Sequence, residues 1–268
     1  MNIPKKSLPE PNLLKVEDVT MAFGGVTALR NFHLELTQGE IVGLIGPNGA
    51  GKTTVFNIIT GVYKPSHGRI FFLDQEITGM RPDLITKAGI ARTFQNIRLF
   101  KGLSVIENVL VANHVHLKAN YLEAILKLPS YRREERAMRE RSLALLERVG
   151  LADLRNEQAS ALPYGMQRKL EIARALATNP KLLLLDEPAA GMNPKEAEDL
   201  TEFIREIRAE FNLAIFLIEH HMDVVMNISQ RILVLNYGMT ITSGKPEEVQ
   251  TDQRVIEAYL GVNENVEN

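Results

Sequence analysis

Apolar residues along this chain change spacing from one segment to the next, and the spacing predicts the elements. Leu14, Val16, Val19 and Met21 make a β-like stretch that ends at Phe23-Gly24-Gly25. Phe32, Leu34 and Leu36 alternate with polar residues, as in a half-buried strand. Glu40–Ile45 reads as a short buried strand, Thr53–Thr60 as a helix with Val55, Ile58 and Ile59 apolar, and Arg69–Leu73 as another strand. Two β segments before the Glu40–Ile45 strand and one after it predict a small antiparallel layer laid against a central core. Pro82–Ala88 has helical spacing, and Ile90–Gln95 reads as a strand ending at the glutamine.

From Leu103 to Ala161 the strand period is lost. Val105, Val109, Leu110 and Ala112 predict one helix, and Tyr131–Val149 a long charged one with Leu143, Leu146 and Val149 on its apolar face. Met166–Thr178 reads as a helix that Asn179-Pro180 stops. Four consecutive leucines, Leu182 to Leu185, sit between turn residues and predict a strand buried on both faces, the mark of a parallel sheet. Asn193 is placed to cap a helix, with Pro194 at its first position and Glu196 three residues on. Strands are expected at Ala214–Ile218, Ile232–Leu235 and Thr240–Thr242, and a short helix at Asp252–Leu260. The expected organisation is a loose tail over residues 1–12, an α/β domain over 13–244 with a helical subdomain inserted at about 96–165, and a C-terminal helix and polar tail over 245–268.

Composition narrows the class. The 268 residues carry 31 Lys and Arg against 33 Asp and Glu, a net charge of −2 that gives no footprint for nucleic acid. No cysteine is present, so disulfide frames and thiolate chemistry are excluded. The start, Met1-Asn2-Ile3-Pro4-Lys5-Lys6-Ser7, lacks the apolar core of a signal peptide. No apolar run reaches the ~20 residues that span a bilayer. A soluble chain is expected, with any membrane role reached through a partner.

The candidate chemistry centres on Gly46-Pro47-Asn48-Gly49-Ala50-Gly51-Lys52-Thr53, followed by Thr54. A buried strand precedes it and a helix follows, the setting of a phosphate-binding loop. Glycines let successive N–H groups turn into one concavity, which the helix N-terminus closes with its free donors and positive dipole end. Lys52 adds a point charge for the β- and γ-phosphates, and the Thr53 hydroxyl can ligate magnesium.

Three later stations follow in order: Gln95, then Leu162-Pro163-Tyr164-Gly165-Met166-Gln167, then Leu182 to Glu187 followed by His220. Together with the loop, this resembles the ATP-binding subunit of ATP-binding cassette (ABC) transporters over roughly residues 13–244. Within that family the details look like the larger ATPase subunit of bacterial branched-chain amino acid importers. The residues that carry this are Arg92-Thr93-Phe94-Gln95-Asn96-Ile97-Arg98-Leu99-Phe100, Val105-Ile106-Glu107-Asn108, the insertion near Leu117 to Arg136, Pro188-Ala189-Ala190-Gly191-Met192-Asn193-Pro194, and Ala258-Tyr259-Leu260-Gly261.

The resemblance implies a P-loop NTPase core with an antiparallel β-subdomain and an inserted α-helical subdomain, binding ATP and Mg2+. It places Phe23 against adenine, and Asp186 on magnesium through water. Glu187 becomes the general base for the attacking water, Gln95 reaches the metal or the water, and His220 faces the γ-phosphate. His221 then falls where the family usually has Asp, and His114 and His116 read as surface residues. Two departures stand out. The segment usually written Leu-Ser-Gly-Gly-Gln is Leu162-Pro163-Tyr164-Gly165-Met166 here, so Gly165 is kept while the serine hydroxyl and glutamine amide are lost. Asn193 stands where many relatives carry Asp.

In such proteins two ATPase chains sandwich two ATP molecules, each loop facing the other chain's signature segment. The implied partners are a sister ATPase subunit, two membrane permeases and, indirectly, an external substrate-binding protein, with the chain peripheral at the cytoplasmic face of the cell membrane. The altered signature favours a heterodimer over a homodimer. Two rivals share parts of the pattern. A lipopolysaccharide-type exporter ATPase shares the Tyr-Leu-Gly tail, and a soluble ABC ATPase working on ribosomes or DNA shares the core. The helical insertion and the Arg-Thr-Phe-Gln-Asn segment favour the importer over the first, and a single cassette at net charge −2 disfavours the second.

Overall fold

The computed structural model describes residues 12–116 and 129–260. Two sheets carry the architecture. Strands β1 (Asn12–Phe23) and β2 (Val26–Thr37) form a long antiparallel hairpin. Its two-residue turn is Gly24-Gly25, at φ 50° and 92°, the positive angles that match the twist of a tight hairpin. Strand β3 (Ile41–Ile45) leads into helix α1 (Lys52–Ile59). Then β4 (His67–Phe72) and β5 (Gln75–Glu76) return to the first sheet, giving the antiparallel order β2-β1-β4-β5. The expected small β-layer is present, and Asn12 already belongs to it; the rest of the expected tail lies outside the described residues.

Helix α2 (Pro82–Ala88) precedes β6 (Ile90–Arg92). The helical insertion follows with α3 (Val105–Asn113) and α4 (Pro129–Arg148), and the chain re-enters the core through α5 (Tyr164–Leu176). The insertion expected near Leu117 to Arg136 lies largely outside the described residues, as does the polar tail after Leu260. The remaining elements are β7 (Leu182–Asp186), α6 (Pro194–Phe211), β8 (Ala214–Ile218), α7 (Met222–Ile228), β9 (Arg231–Asn236), β10 (Met239–Gly244), α8 (Pro246–Gln250) and α9 (Gln253–Leu260). Helices α7 and α8 are too short for their apolar periods to stand out in the sequence. The central sheet has the order β10-β9-β3-β8-β7-β6, parallel except for the antiparallel edge strand β10.

Alternation along the central strands separates two cores. Leu182, Leu184, Phe216, Ile218, Val42 and Leu44 face α1 and the antiparallel sheet. Leu183, Leu185, Ile215 and Leu217 face the opposite way and pack with residues of α3, α4, α5 and α6. The leucine run is fully buried, as a strand covered on both faces must be. Helices α3 and α6 open with complete capping boxes, Ser104 with Glu107 and Asn193 with Glu196, and Pro194 occupies the first turn as its fixed φ favours.

Strand β6 stops at Arg92, before the expected end at Gln95, and a buried arginine explains it. Thr93 still donates its N–H to Leu184 O at 2.9 Å. Beyond it, the carbonyls of Phe94 and Gln95 both accept from the Arg168 guanidinium at 2.8 Å. Those two residues therefore leave the ladder with their acceptors satisfied by a side chain. Arg168 is 0% exposed and also binds Glu171 Oε2 at 2.7 Å; burial pushes the Glu171 carboxyl up and the guanidinium pulls it down in part. Removing one partner of such a pair costs about 3–5 kcal/mol. Arg168→Leu is expected to lower unfolding free energy by that order in urea denaturation. Adding Glu171→Leu should recover only the part due to the stranded charge, because the Phe94 and Gln95 carbonyls and the Arg98 N–H stay without their side-chain partners. Parental stability of the single variant would contradict this account.

Candidate functional site

The site forms where the parallel strands end. Register sets it: Leu44 and Asp186 both pair with Ile218, so β3, β7 and β8 finish in one row. The residues that follow this row lead into the glycine loop, Glu187 and Glu219-His220. In open α/β sheets this carboxyl edge is where ligands bind.

The loop from Gly46 to Gly51 has the shape its glycines permit. Gly46, Gly49 and Gly51 have φ of 150°, 80° and 104°. At Gly46 a Cβ would lie 2.1 Å from Leu235 O, and at Gly51 2.7 Å from Ala28 O, so neither position admits another residue without movement. Ala50 is buried, its N–H donating to Pro47 O and its O accepting from Gly238 N. Asn48, Gly49 and Thr53 are exposed, and Pro47 and Thr54 are half-buried. Lys52 is 6% exposed, and its Nζ donates to Gly46 O at 2.6 Å and Pro47 O at 2.9 Å. Burial pulls the Lys52 pKa below the usual lysine range, and the charges of Glu187 and Asp186 oppose that shift. Helix α1 begins without a side-chain cap and without an acidic residue in its first turn.

Asp186 ends β7 at 5% exposure, and its Oδ2 accepts from Arg92 Nη2 at 2.6 Å. Arg92 in turn binds Asn57 Oδ1 at 2.7 Å and lies over the rings of Phe56 and Phe94. Glu187 takes φ 47°, a left-handed turn that is uncommon outside glycine. Its two carboxylate oxygens are shared: Oε2 accepts from Gln95 Nε2 at 2.7 Å, and Oε1 meets His220 Nε2 at 2.8 Å. The structure thus brings Gln95, Glu187 and His220 into one contact network. It places His221 apart, as the residue preceding α7.

Beneath this network lies Glu219, 1% exposed, which the sequence pattern does not single out. It accepts the N–H groups of Ala189 at 2.7 Å, His220 at 2.8 Å and His221 at 3.1 Å. One buried carboxylate therefore ties the loop after Glu187 to the turn that carries both histidines. Its only sequence signal is a charged residue directly after an apolar strand. Arg92, Asn57 and the hold of Arg168 on the Phe94 carbonyl also escape a linear reading, because these contacts span 35 to 94 positions.

Phe23 lies at the hairpin turn, 40% exposed, with its ring 5.1 Å from that of Tyr63 in an edge-on arrangement. The signature segment opens α5. Pro163 fills the N-cap position at φ −53° and ψ 152° and offers no side-chain acceptor. Gly165 has open space where a Cβ would stand, and Met166 packs partly against the core. Tyr164 donates its hydroxyl to Ala190 O at 2.9 Å. The segment is thus fastened to the loop that follows Glu187.

A glycine loop on a helix N-terminus, with an Asp-Glu pair at the end of a neighbouring parallel strand, defines a phosphate-loop ATPase. The ABC transporter family pattern matches residues 29–190. A second pattern, that of the branched-chain amino acid ATP-binding cassette transporter, matches residues 240–265. The chain belongs to the ABC transporter ATP-binding family. It is 51% identical to the high-affinity branched-chain amino acid transport ATP-binding protein LivG of Escherichia coli (strain K12), over 93% of this chain and 98% of that one. It is 47% identical to the corresponding protein BraF of Pseudomonas aeruginosa, with the same coverage. Among solved structures it resembles the ADP conformation of MJ1267, an ATP-binding cassette of an ABC transporter, at TM-score 0.82 and 32% identity, covering 94% of this chain and 99% of that one.

The two adjacent histidines give a test of the geometry. His220 touches Glu187 and His221 does not, so His220→Ala is expected to reduce single-turnover ATP hydrolysis severely and His221→Ala only mildly. Rapid-quench measurement on both variants checks this, and the reverse ranking would contradict it.

Proposed function

We propose that this chain is the ATPase subunit of an importer for branched-chain amino acids, working at the cytoplasmic face of the membrane through permease subunits. The observation that carries the reading is the shared carboxyl edge, where the glycine loop, Asp186, and Glu187 with Gln95 and His220 converge. The close relatives named for branched-chain amino acid transport, matched over nearly their whole length, support the substrate class. No helix among the described residues is long and apolar enough to cross a membrane, in keeping with a peripheral subunit.

In this reading the loop amides of Asn48 to Thr54 and the Lys52 ammonium hold the β- and γ-phosphates. Lys52 gives up the carbonyls of Gly46 and Pro47 for the nucleotide. Phe23 offers its exposed ring to the adenine. Glu187 orients the attacking water and takes its proton, while His220 contacts the γ-phosphate from the other side of the same carboxylate. Mg2+ would be held by the Thr53 hydroxyl, the Gln95 amide oxygen that its Nε2–Glu187 contact leaves unused, and the Asp186 carboxylate. These are hard oxygen ligands, which suit Mg2+, and the ion would neutralise charge on the phosphates. The Arg92 guanidinium holds the Asp186 carboxylate in place.

Glu187→Gln keeps the size of the side chain, turns one of its two acceptor oxygens into an NH2 group and removes the base, so hydrolysis is expected to fall by about 10²–10⁴-fold while ATP binding is retained. Lys52→Ala is expected to weaken binding itself. Equilibrium nucleotide binding and steady-state turnover separate the two. Hydrolysis by the Glu187 variant at the parental rate would remove Glu187 from the base role.

The partner is the finer part of the proposal. At α5 the segment Pro163-Tyr164-Gly165-Met166 lacks the hydroxyl that most relatives point at a partner's γ-phosphate. A hydrogen bond to a charged group contributes about 1.5–3 kcal/mol, which is roughly a tenfold to hundredfold effect. We therefore assign this chain to a heterodimer, in which a distinct sister ATPase supplies the signature that completes this chain's loop. The purified chain alone is expected to hydrolyse ATP weakly, to gain activity with Pro163→Ser and Met166→Gln, and to gain more when the sister chain is added. Strong cooperative turnover by the unmodified chain, unchanged by the double substitution, would overturn the heterodimer.

A further inference from the structure

The last helix of the chain reaches the first residue of the phosphate loop. Helix α9 is seated by Val255, 7% exposed, in a small core shared with Ile45, Val234 and Val249. Arg254 fastens it further, binding Asp252 Oδ2 at 2.6 Å and Thr242 Oγ1 at 3.0 Å. From that seat the Tyr259 hydroxyl accepts the N–H of Gly46 at 2.9 Å. The two residues are 213 positions apart.

Gly46 is the point where strand becomes loop, because the β3 ladder ends at Ile45. Its peptide surroundings are fixed on three sides. The carbonyl accepts from Lys52, the α-carbon lies against Leu235 O, and the N–H is held by Tyr259. The first two constraints come from the nucleotide core itself. The third comes from an appended helix at the far end of the chain. Burial pushes the Tyr259 phenol up and the Gly46 contact draws it part of the way back, so the hydroxyl stays neutral across the physiological range.

We propose that Tyr259 is a positioning residue for nucleotide binding: by holding the Gly46 N–H it fixes the entrance of the phosphate loop, and the C-terminal helix thereby sets the affinity of this ATPase for ATP. The amides that cradle phosphate all lie after Gly46, so their direction depends on how the loop leaves the strand. A loop already held in its binding shape loses less conformational freedom when the ligand arrives. A loop with a free entrance must be ordered by the nucleotide.

The inference rests on the phosphate-loop reading, and the experiment keeps the two apart. ATP affinity is measured on the full chain by equilibrium binding, at a temperature well below unfolding, for the parent, Tyr259→Phe, Arg254→Ala and Lys52→Ala. Thermal unfolding and steady-state hydrolysis are recorded in parallel. The phenylalanine variant keeps the ring and loses only the hydroxyl. A neutral hydrogen bond contributes about 1 kcal/mol, so the Kd and KM for ATP are expected to rise about fivefold with kcat at saturation little altered. Arg254→Ala, which loosens the seat of the helix, is expected to shift Kd in the same direction by less. An unchanged Kd for Tyr259→Phe would overturn the proposal, whether or not its melting temperature falls. So would a fall in kcat at parental KM. Parental affinity in Lys52→Ala would instead overturn the phosphate-loop reading.

Discussion

Everything at the site depends on the register of three parallel strands. Ile218 of β8 pairs with Leu44 of β3 on one side and with Asp186 of β7 on the other. The next residue on each strand leads into the loop edge: Ile45 toward the glycine turn, Glu187 toward its left-handed turn, and Glu219 toward the histidines. A parallel ladder fixes which strand ends are level, and a one-residue slip would turn every side chain to the opposite face. The alternating apolar residues resist such a slip. Leu182 and Leu184 on one face and Leu183 and Leu185 on the other belong to two separate buried cores, so every position is committed. Hydrophobic packing on both sides of the sheet therefore decides where the charged groups meet.

Once the strand ends are level, buried charges do the fine positioning. Arg92 holds Asp186, Arg168 holds the backbone of Phe94 and Gln95, and Glu219 holds the backbone of Ala189, His220 and His221. Each is nearly removed from water, and each is matched by two or more partners, which is what makes its burial tolerable. The two glutamates work differently. Glu219 binds only N–H groups of its surroundings and acts on the backbone. Glu187, at the end of the neighbouring strand β7, binds side chains instead, Gln95 and His220. A carboxylate that holds backbone thus lies under one that holds side chains.

This division explains what is legible in the sequence. The glycine loop, Asp186 and Glu187 are readable because their chemistry is written in consecutive residues, and the four leucines name their strand by composition alone. The capping box at Asn193 is readable for the same reason, since its partner is three residues away; the one at Ser104, of the same spacing, emerges only with the structure. The supports are not readable. Arg92 looks like any polar strand terminus until β6 pairs with β7 and sets it beside Asp186. Gln95 contacts Glu187, yet the strand expected to carry it ends early, because Arg168 takes over the carbonyls. Tyr259 is visible only as part of a terminal motif, and its contact with Gly46 exists only in three dimensions.

The helix starts follow the same economy of charge. Helices α3 and α6 open on capping boxes in which Glu107 and Glu196 answer the free N–H groups. Helices α1 and α5 open on Gly51 and Pro163, with no side-chain cap and no acidic residue in the first turn. A capped and negatively charged helix start is closed to an anion; an uncapped one keeps its donors and its dipole end available. Proline at the start of α5 fits this logic, since it sets the backbone angle for helix entry without filling a donor. Gly165 adds an open approach with nothing within 4 Å of a Cβ. In the proposed assembly α1 meets the phosphates of its own nucleotide and α5 those of the partner's. On this view the lost serine hydroxyl removes one contact from α5, while the helix start that would receive the phosphate is preserved.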